Sequence, residues 1–331
     1  MRSLAFGRRQ LRDCSEQSVV HQFGEAFLNP GLARAYVLNA LHVDAEVDAD
    51  QLVAALDDLY GDYLHRRAYV ERFDTGARIA EELRRRRWLV ERNLFMVLRR
   101  PRDREAQAGL AREVDAETLQ VAEARSVREE PYGKDEEVVR QLVAMRAALA
   151  RAVPTARFFV GASDGVDAAV TTLYSDGVVA QIEDVATLRD FRRRGLARAT
   201  VSAAIDAALE MGHEMIFIVA DDDDWPKDLY ARVGFDPVGR AWAFTRPGPE
   251  HPAHVPTPRS PGTCARPRTT RAAGGCRATE RPRWHGRRCG PPPRWHPEPR
   301  GPYGVGTCAG CSGPGRVNAH ARPTGSNPTR A

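Results

Sequence analysis

Residues 188–201 read LRDFRRRGLARATV. Arg192, Arg193 and Arg194 abut a single glycine, Gly195, and an alanine-rich helical stretch starts at once. A helix N-terminus already carries partial positive charge and unpaired backbone N–H groups. Arginines placed there add unfavourable charge, so the isolated helix gains nothing from them. An anion seated on the same spot reverses the sign. The stretch therefore reads as a phosphate-binding turn. Gly195 lets the backbone approach the anion, and small Ala197 keeps the first helical turn clear. N–H groups from about residues 193–198 would face a pyrophosphate, with Arg193, Arg194 and Arg198 adding charge.

Apolar periodicity on either side sets the fold class. Upstream, Arg112–Asp115 reads as a short strand, and Glu117–Glu129 and Asp135–Ala152 as helices. Arg157–Val160, Ala168–Tyr174 and Val178–Thr187 read as strands separated by Asp164-Gly165 and Asp176-Gly177, which are hairpin turn signals. Downstream lie a helix over Leu196–Met211 stopped by Gly212, a strand over Met215–Ala220, a helix over Asp224–Val233 and one or two strands in Phe235–Thr245. The order is β-α-α-β-β-β, loop, α-β-α-β. Three consecutive strands with tight turns exclude a doubly wound parallel sheet. An α/β chain of the α+β type, with a mixed, mostly antiparallel sheet flanked by helices, is expected.

These residues resemble the GNAT superfamily of N-acetyltransferases. Its Q/R-x-x-G-x-G/A signature is met by Arg192-Arg-Arg-Gly195-Leu-Ala197. A second run, Asp223-Asp-Trp-Pro226-Lys-Asp-Leu229-Tyr230-Ala-Arg-Val-Gly234-Phe235, matches the family's Asn-x-x-Ala-x-x-Leu-Tyr-x-x-x-Gly-Phe, with Asp223 for Asn and Pro226 for Ala. The resemblance spans residues 110–246. It implies that the turn Arg192–Arg198, Leu196 included, holds the pyrophosphate of acetyl-CoA as co-substrate. It also implies that Val178–Thr187 splays from Met215–Ala220, exposing backbone near Val185 and Thr187 to the pantetheine arm. Tyr230 is then the proton donor to the leaving thiolate. Glu183 and Asp184 lie beside the acetyl site, and strand alternation points them to opposite faces, so one of them is expected to meet the substrate; Glu183 is favoured as base, against an ion-paired or solvated edge residue. The implied activity is acetyl transfer to an amine by direct attack within a ternary complex. The alternative is a non-catalytic acyl-CoA-binding or sensing protein. Asp221–Asp224 reads as a solvated loop with Asp224 near a helix start, or as an acidic lip that draws a cationic amine.

Composition divides the chain of 331 residues into three. From Pro247 to Ala331 there are 14 arginines, three acids, 17 of the 23 prolines, and no Leu, Ile or Phe. That segment carries +11 against +5 for the whole, so residues 1–246 carry −6. Residues 247–331 are expected to be a disordered tail, with nucleic-acid contact confined to its arginines. Its Cys308-Ala-Gly-Cys311 lacks a second ligand pair, and His21, His42 and His65 show no metal spacing, so no metal is expected. Residues 106–246 form the expected catalytic domain. Residues 1–105, ending in WLVERNLFMVLRR, read as a degenerate GNAT-like region without its own phosphate turn, containing strands Tyr36–Val43, Ala68–Phe73 and Trp88–Leu98 and helices Asp50–Leu64 and Ala77–Arg87. A lone body cysteine, Cys14, fits a reducing cytoplasm. No run approaches a membrane span, and the N-terminus lacks an apolar signal region.

Overall fold

The computed structural model describes residues 1–248, all within one compact unit. The expectations for residues 249–331, including the tail, its arginines and its cysteine pair, lie outside the described residues. The first half runs α1 (Arg2–Cys14), β1 (Gln17–His21), β2 (Gly24–Leu28), β3 (Leu41–Val43), α2 (Ala49–Leu59), β4 (Arg66–Val70), α3 (Phe73–Arg85) and β5 (Leu89–Leu98). The second half runs β6 (Ala111–Val114), α4 (Ala116–Arg128), α5 (Glu136–Arg151), β7 (Thr155–Ser163), β8 (Val166–Ser175), β9 (Val179–Thr187), α6 (Leu196–Glu210), β10 (Met215–Asp221), α7 (Pro226–Arg232) and β11 (Phe235–Arg246). The expected order of the second half, and the mixed sheet flanked by helices, are both present. Asp164 and Gly165 both have positive φ (54° and 76°), closing a two-residue hairpin turn between β7 and β8.

All eleven strands share one sheet in the order β1-β2-β3-β4-β11-β5-β10-β9-β8-β7-β6. The middle of that order reads the same from both ends. Parallel β3 and β4 are joined by α2, and parallel β9 and β10 by α6. Each half then sends one more helix and strand across the middle. β5 leaves the first half to pair with β10, and β11 leaves the second half to pair with β4. The two exchanged strands pair antiparallel with each other from Phe235↔Leu98 to Thr245↔Leu89. A boundary near residue 105 therefore does not divide the sheet, because the ladder hydrogen bonds of each half are completed by the other.

Strand alternation assigns the faces. Ala180, Ile182, Ile216, Ile218 and Ala220 pack with α6 and α7, while Leu41, Val43, Ala68 and Val70 pack with α2 and α3. The opposite face carries α1 and α5, with Phe6 of α1 edge-on to Phe217 at 5.8 Å.

One expectation fails in the first half. Tyr36–Val43 is not one strand: Tyr36–Leu38 is a 3-10 turn and only Leu41–Val43 pairs. Asn39 is fully buried there, with its side chain bonded to the Leu32 and Ala35 carbonyls and to the Asn29 N–H, which ties the chain into a turn. Helix α1 and the β1–β2 hairpin were not foreseen. The buried face of α1 includes Ser3 and Gln10, so its periodicity is masked by polar residues.

Candidate active site

Strands β9 and β10 pair in parallel from Met215↔Val179 to Ile218↔Ile182 and then part. Beyond that point β9 carries a bulge opposite β8, between the partners of Val170 and Thr172, and Asp184 takes φ 58° there. The bulge breaks alternation. Glu183 and Asp184 do not point to opposite faces, as strand geometry led us to expect; both line one cavity of about 320 Å3. Val185, after the bulge, packs with the α6–α7 core instead.

The turn after β9 ends in Gly195, the N-cap of α6, with φ 84° and ψ 0°. A Cβ at Gly195 would meet only Leu110, at 3.8 Å, so glycine is required by the backbone angle rather than by crowding. No side chain caps α6, which leaves its first N–H groups, from Leu196 and Ala197 onward, without a side-chain partner. Arg193 also has positive φ, 65°, and alternation of left- and right-handed residues is the kind of backbone that turns successive N–H groups toward an anion. Arg192 donates to the Thr187 carbonyl at 3.1 Å, and Arg194 pairs with Asp164 and lies over the Phe191 ring at 5.0 Å. Arg198 does not join them. It is 7 % exposed and bonds Asp103 at 2.7 Å, fixing the 101–104 segment to α6. The Thr187 hydroxyl is buried without a hydrogen-bond partner among the described residues, an unsatisfied group on the edge where β9 and β10 part. The turn and this edge fit an extended ligand with an anionic end.

Glu183 accepts from Gln181 at 2.6 Å. Burial, reinforced by the charge of Asp184, pushes its carboxyl up to about 8. Asp184 is held by the Tyr174 hydroxyl at 2.8 Å and Arg146 Nε at 3.0 Å. That fixed ion pair leaves Glu183 as the freer carboxyl. Behind it lies Glu123, 1 % exposed, with Oε1 3.8 Å from Arg146; burial pushes its carboxyl to about 8. Tyr230 is on α7, 6 % exposed, and does not line the cavity. It belongs to the core on the α6–α7 face, and its hydroxyl makes no hydrogen bond among the described residues. Burial and the charge of Glu183 raise its pKa, so it keeps its proton. Glu183 and Tyr230 thus approach the parting strands from opposite faces.

The four-aspartate run is mostly spent. Asp222 pairs with Arg240 at 2.7 Å, Asp223 pairs with Arg92, and Asp224 accepts the Trp225 N–H at 2.8 Å. Only Asp221 lines the cavity, its pKa raised by burial. His213 is structural, between Ser175 Oγ at 2.6 Å and the Ala208 carbonyl at 2.8 Å. Sequence reasoning missed the cavity's far wall, formed by Arg8, His42, Tyr69 and Glu71. No local signal marks these residues, because the sheet alone brings them together.

Residues 121–235 match the family model described as acetyltransferase (GNAT) family. The chain carries a GNAT acetyltransferase domain. The match includes the Gly195 turn, Glu183 and the Leu229-Tyr230 to Gly234-Phe235 run, so the resemblance read from the motifs holds. A functionally unknown conserved protein of Staphylococcus epidermidis shares the fold, with TM-score 0.54 and 13 % identity over 70 % of this chain and 94 % of that one. A GCN5-related N-acetyltransferase from Kribbella flavida aligns with TM-score 0.48 and 19 % identity over 74 % of this chain and 95 % of its own. A search of the curated proteins finds no match. Among the described residues, no helix is long and apolar enough to cross a membrane, and no three His, Cys, Asp or Glu are placed to hold a metal.

Proposed function

We propose that the protein transfers the acetyl group of acetyl-CoA to an amine by direct attack. One observation carries this reading: the parted strands β9 and β10 lie between the uncapped Gly195 turn and a cavity containing a carboxyl poised near 8. The donor would lie along β9 past Thr187 and Val185, its pyrophosphate on the turn from Arg192 to Ala197. The acceptor would enter from the cavity. Its nitrogen lone pair attacks the thioester carbonyl carbon while Glu183 takes a proton from that nitrogen. A backbone N–H near Val185 receives the oxyanion. Collapse breaks the C–S bond, and Tyr230 protonates the leaving sulfur. The proton on Glu183 then passes to solvent and Tyr230 recovers one, so the products are an amide and free CoA thiol.

We read residues 1–105 as a degenerate GNAT-like half that supplies the acceptor side, and a reducing cytoplasm as the setting. Its β3–α2 connection is Asp44-Ala-Glu46-Val-Asp48, which would repel a pyrophosphate. A second reading, acyl-CoA binding without transfer, draws on the absence of Tyr230 from the cavity lining. Thiol release from acetyl-CoA over small amines, aminated antibiotics, peptide N-termini and lysine peptides separates the two. Transfer to one class supports the enzyme; acetyl-CoA binding with no release in any class supports the sensor.

A further inference from the structure

Two side chains of the cavity's far wall each carry a buried polar atom without a partner among the described residues. Arg8 on α1 gives Nε to Glu71 Oε1 at 2.6 Å and Nη1 to Asp44 at 2.7 Å. Its Nη2 is buried and has no partner among the described residues. His42 on β3 is 8 % exposed, stacks on Tyr69 with ring centroids 4.9 Å apart, and meets Phe27 edge-on. Its Nδ1 lies 3.5 Å from the same Glu71 oxygen, and its Nε2 is buried without a partner among the described residues. Both side chains line the cavity that holds Glu183.

The chemistry of the missing partner follows from the Glu71 carboxylate. Beside Nδ1 it favours the imidazole tautomer with the proton on that nitrogen, so Nε2 presents a bare lone pair. Burial lowers the pKa of His42 and keeps the ring neutral. The wall therefore offers one donor group, the Nη2 of Arg8, and one acceptor, the Nε2 of His42. A ligand carboxylate would satisfy Arg8 but meet Glu71 and Asp44 and give His42 nothing. An ammonium would satisfy His42 but face a guanidinium. A hydroxyl or a primary amide both donates and accepts.

Resting on the acetyltransferase reading, we propose that the acceptor is a small amine bearing a hydroxyl or primary amide at the end remote from the reacting nitrogen, and that Arg8 and His42 read that group. A cavity of about 320 Å3 stands at the small end of the range for small-molecule sites, which favours such an acceptor.

Calorimetry on the full chain tests this with ω-amino alcohols, ω-amino amides, n-alkylamines and α,ω-diamines of graded chain length. Because binding needs no transfer, the result stands even if no thiol is released, and thiol release scored on the same panel tests the acetyltransferase reading separately. At a matched length the alcohol or amide should bind at least tenfold tighter than the alkylamine, since a site built around a hydroxyl leaves its own polar groups unpaired when the analogue lacks it. His42→Phe keeps the stacked ring and should erase that preference while leaving acetyl-CoA affinity unchanged. If that variant does not fold, Arg8→Lys keeps the charge beside Glu71, loses Nη2 and should do the same. Equal binding of alcohol and alkylamine, which means water alone occupies the wall, overturns the proposal. So does a diamine that binds tightest, or a preference that survives in a folded His42→Phe protein.

Discussion

Tyr230 and Glu183 divide the proton traffic of the proposed reaction, and each is separable by one atom. Tyr230→Phe removes an oxygen that makes no hydrogen bond among the described residues, so packing in the α6–α7 core should hold. We expect kcat to fall roughly 100-fold or more with little change in acetyl-CoA affinity, the pattern of an interaction made in the transition state. Unchanged kcat with a lower melting temperature would instead make Tyr230 a core residue. For Glu183 the sign follows from its role. A base must be ionised, and its pKa is near 8, so kcat/KM should climb with pH and level off above about 8. Glu183→Gln should lose that limb; a Gln variant with the same profile would assign the titration to the acceptor amine. The motif pointed to Tyr230, and position beside the expected acetyl site pointed to Glu183. Strand alternation misplaced Asp184, because the bulge that turns Asp184 into the cavity depends on pairing with β8, which the local pattern of β9 does not encode.

At the scale of elements, the Gly195 turn was the most legible part of the chain. A positive φ, a missing cap and adjacent cations are all properties of a few consecutive residues. Gly195→Asp should abolish acetyl-CoA binding by calorimetry, since it strains the left-handed backbone and puts a carboxylate where the phosphates would lie. Retained affinity would remove the turn from the site. The Arg198–Asp103 pair was less legible, since its partner is far away in sequence and close only after folding. The same holds for Glu123 on α4, which faces Arg146 on α5 behind Asp184 on β9. Its folded pKa of about 8 stands above the ordinary carboxylate value of 4.5. The folded state therefore holds a proton that the unfolded chain has released between those values. Stability from this group is complete below about pH 4.5 and is lost as pH rises through 8, at up to about 1.4 kcal/mol per pH unit. Glu123→Gln should flatten the fall in melting temperature between about pH 5 and pH 8. An unaltered slope would show that Glu123 ionises freely in the folded protein.

For the whole molecule, the exchange of β5 and β11 decides what can be cut. Residues 106–248 alone retain every motif that identified the family, yet they lack the strand between β10 and β11. We expect this piece to give no cooperative thermal transition, whereas residues 1–248 should unfold in one step. A well-folded 106–248 fragment would show that the second half closes its sheet by itself. The sequence resolved the element order of that half because each strand carries its own periodicity. It did not resolve the exchange, since β5 reads identically whether it pairs with β4 or with β10. Ending the chain at Gly248 should leave melting temperature and acetyl-CoA affinity unchanged, because the remaining residues offer no Leu, Ile or Phe to bury against the sheet.

The same interlocking sets a timetable for synthesis. When β5 leaves the ribosome, β11, the strand that belongs between it and β4, is roughly 150 residues from being made, a wait of about 8 to 30 s at ordinary elongation rates. Throughout that interval the nascent first half exposes the edges of β4 and β5, both flanked by apolar side chains, to whatever else is being translated nearby. Ribosome-bound chains stalled far enough beyond Leu98 for β5 to emerge should therefore bind a holdase chaperone and be cleaved readily by protease, and both should cease once the stall lies far enough beyond Arg246 for β11 to emerge.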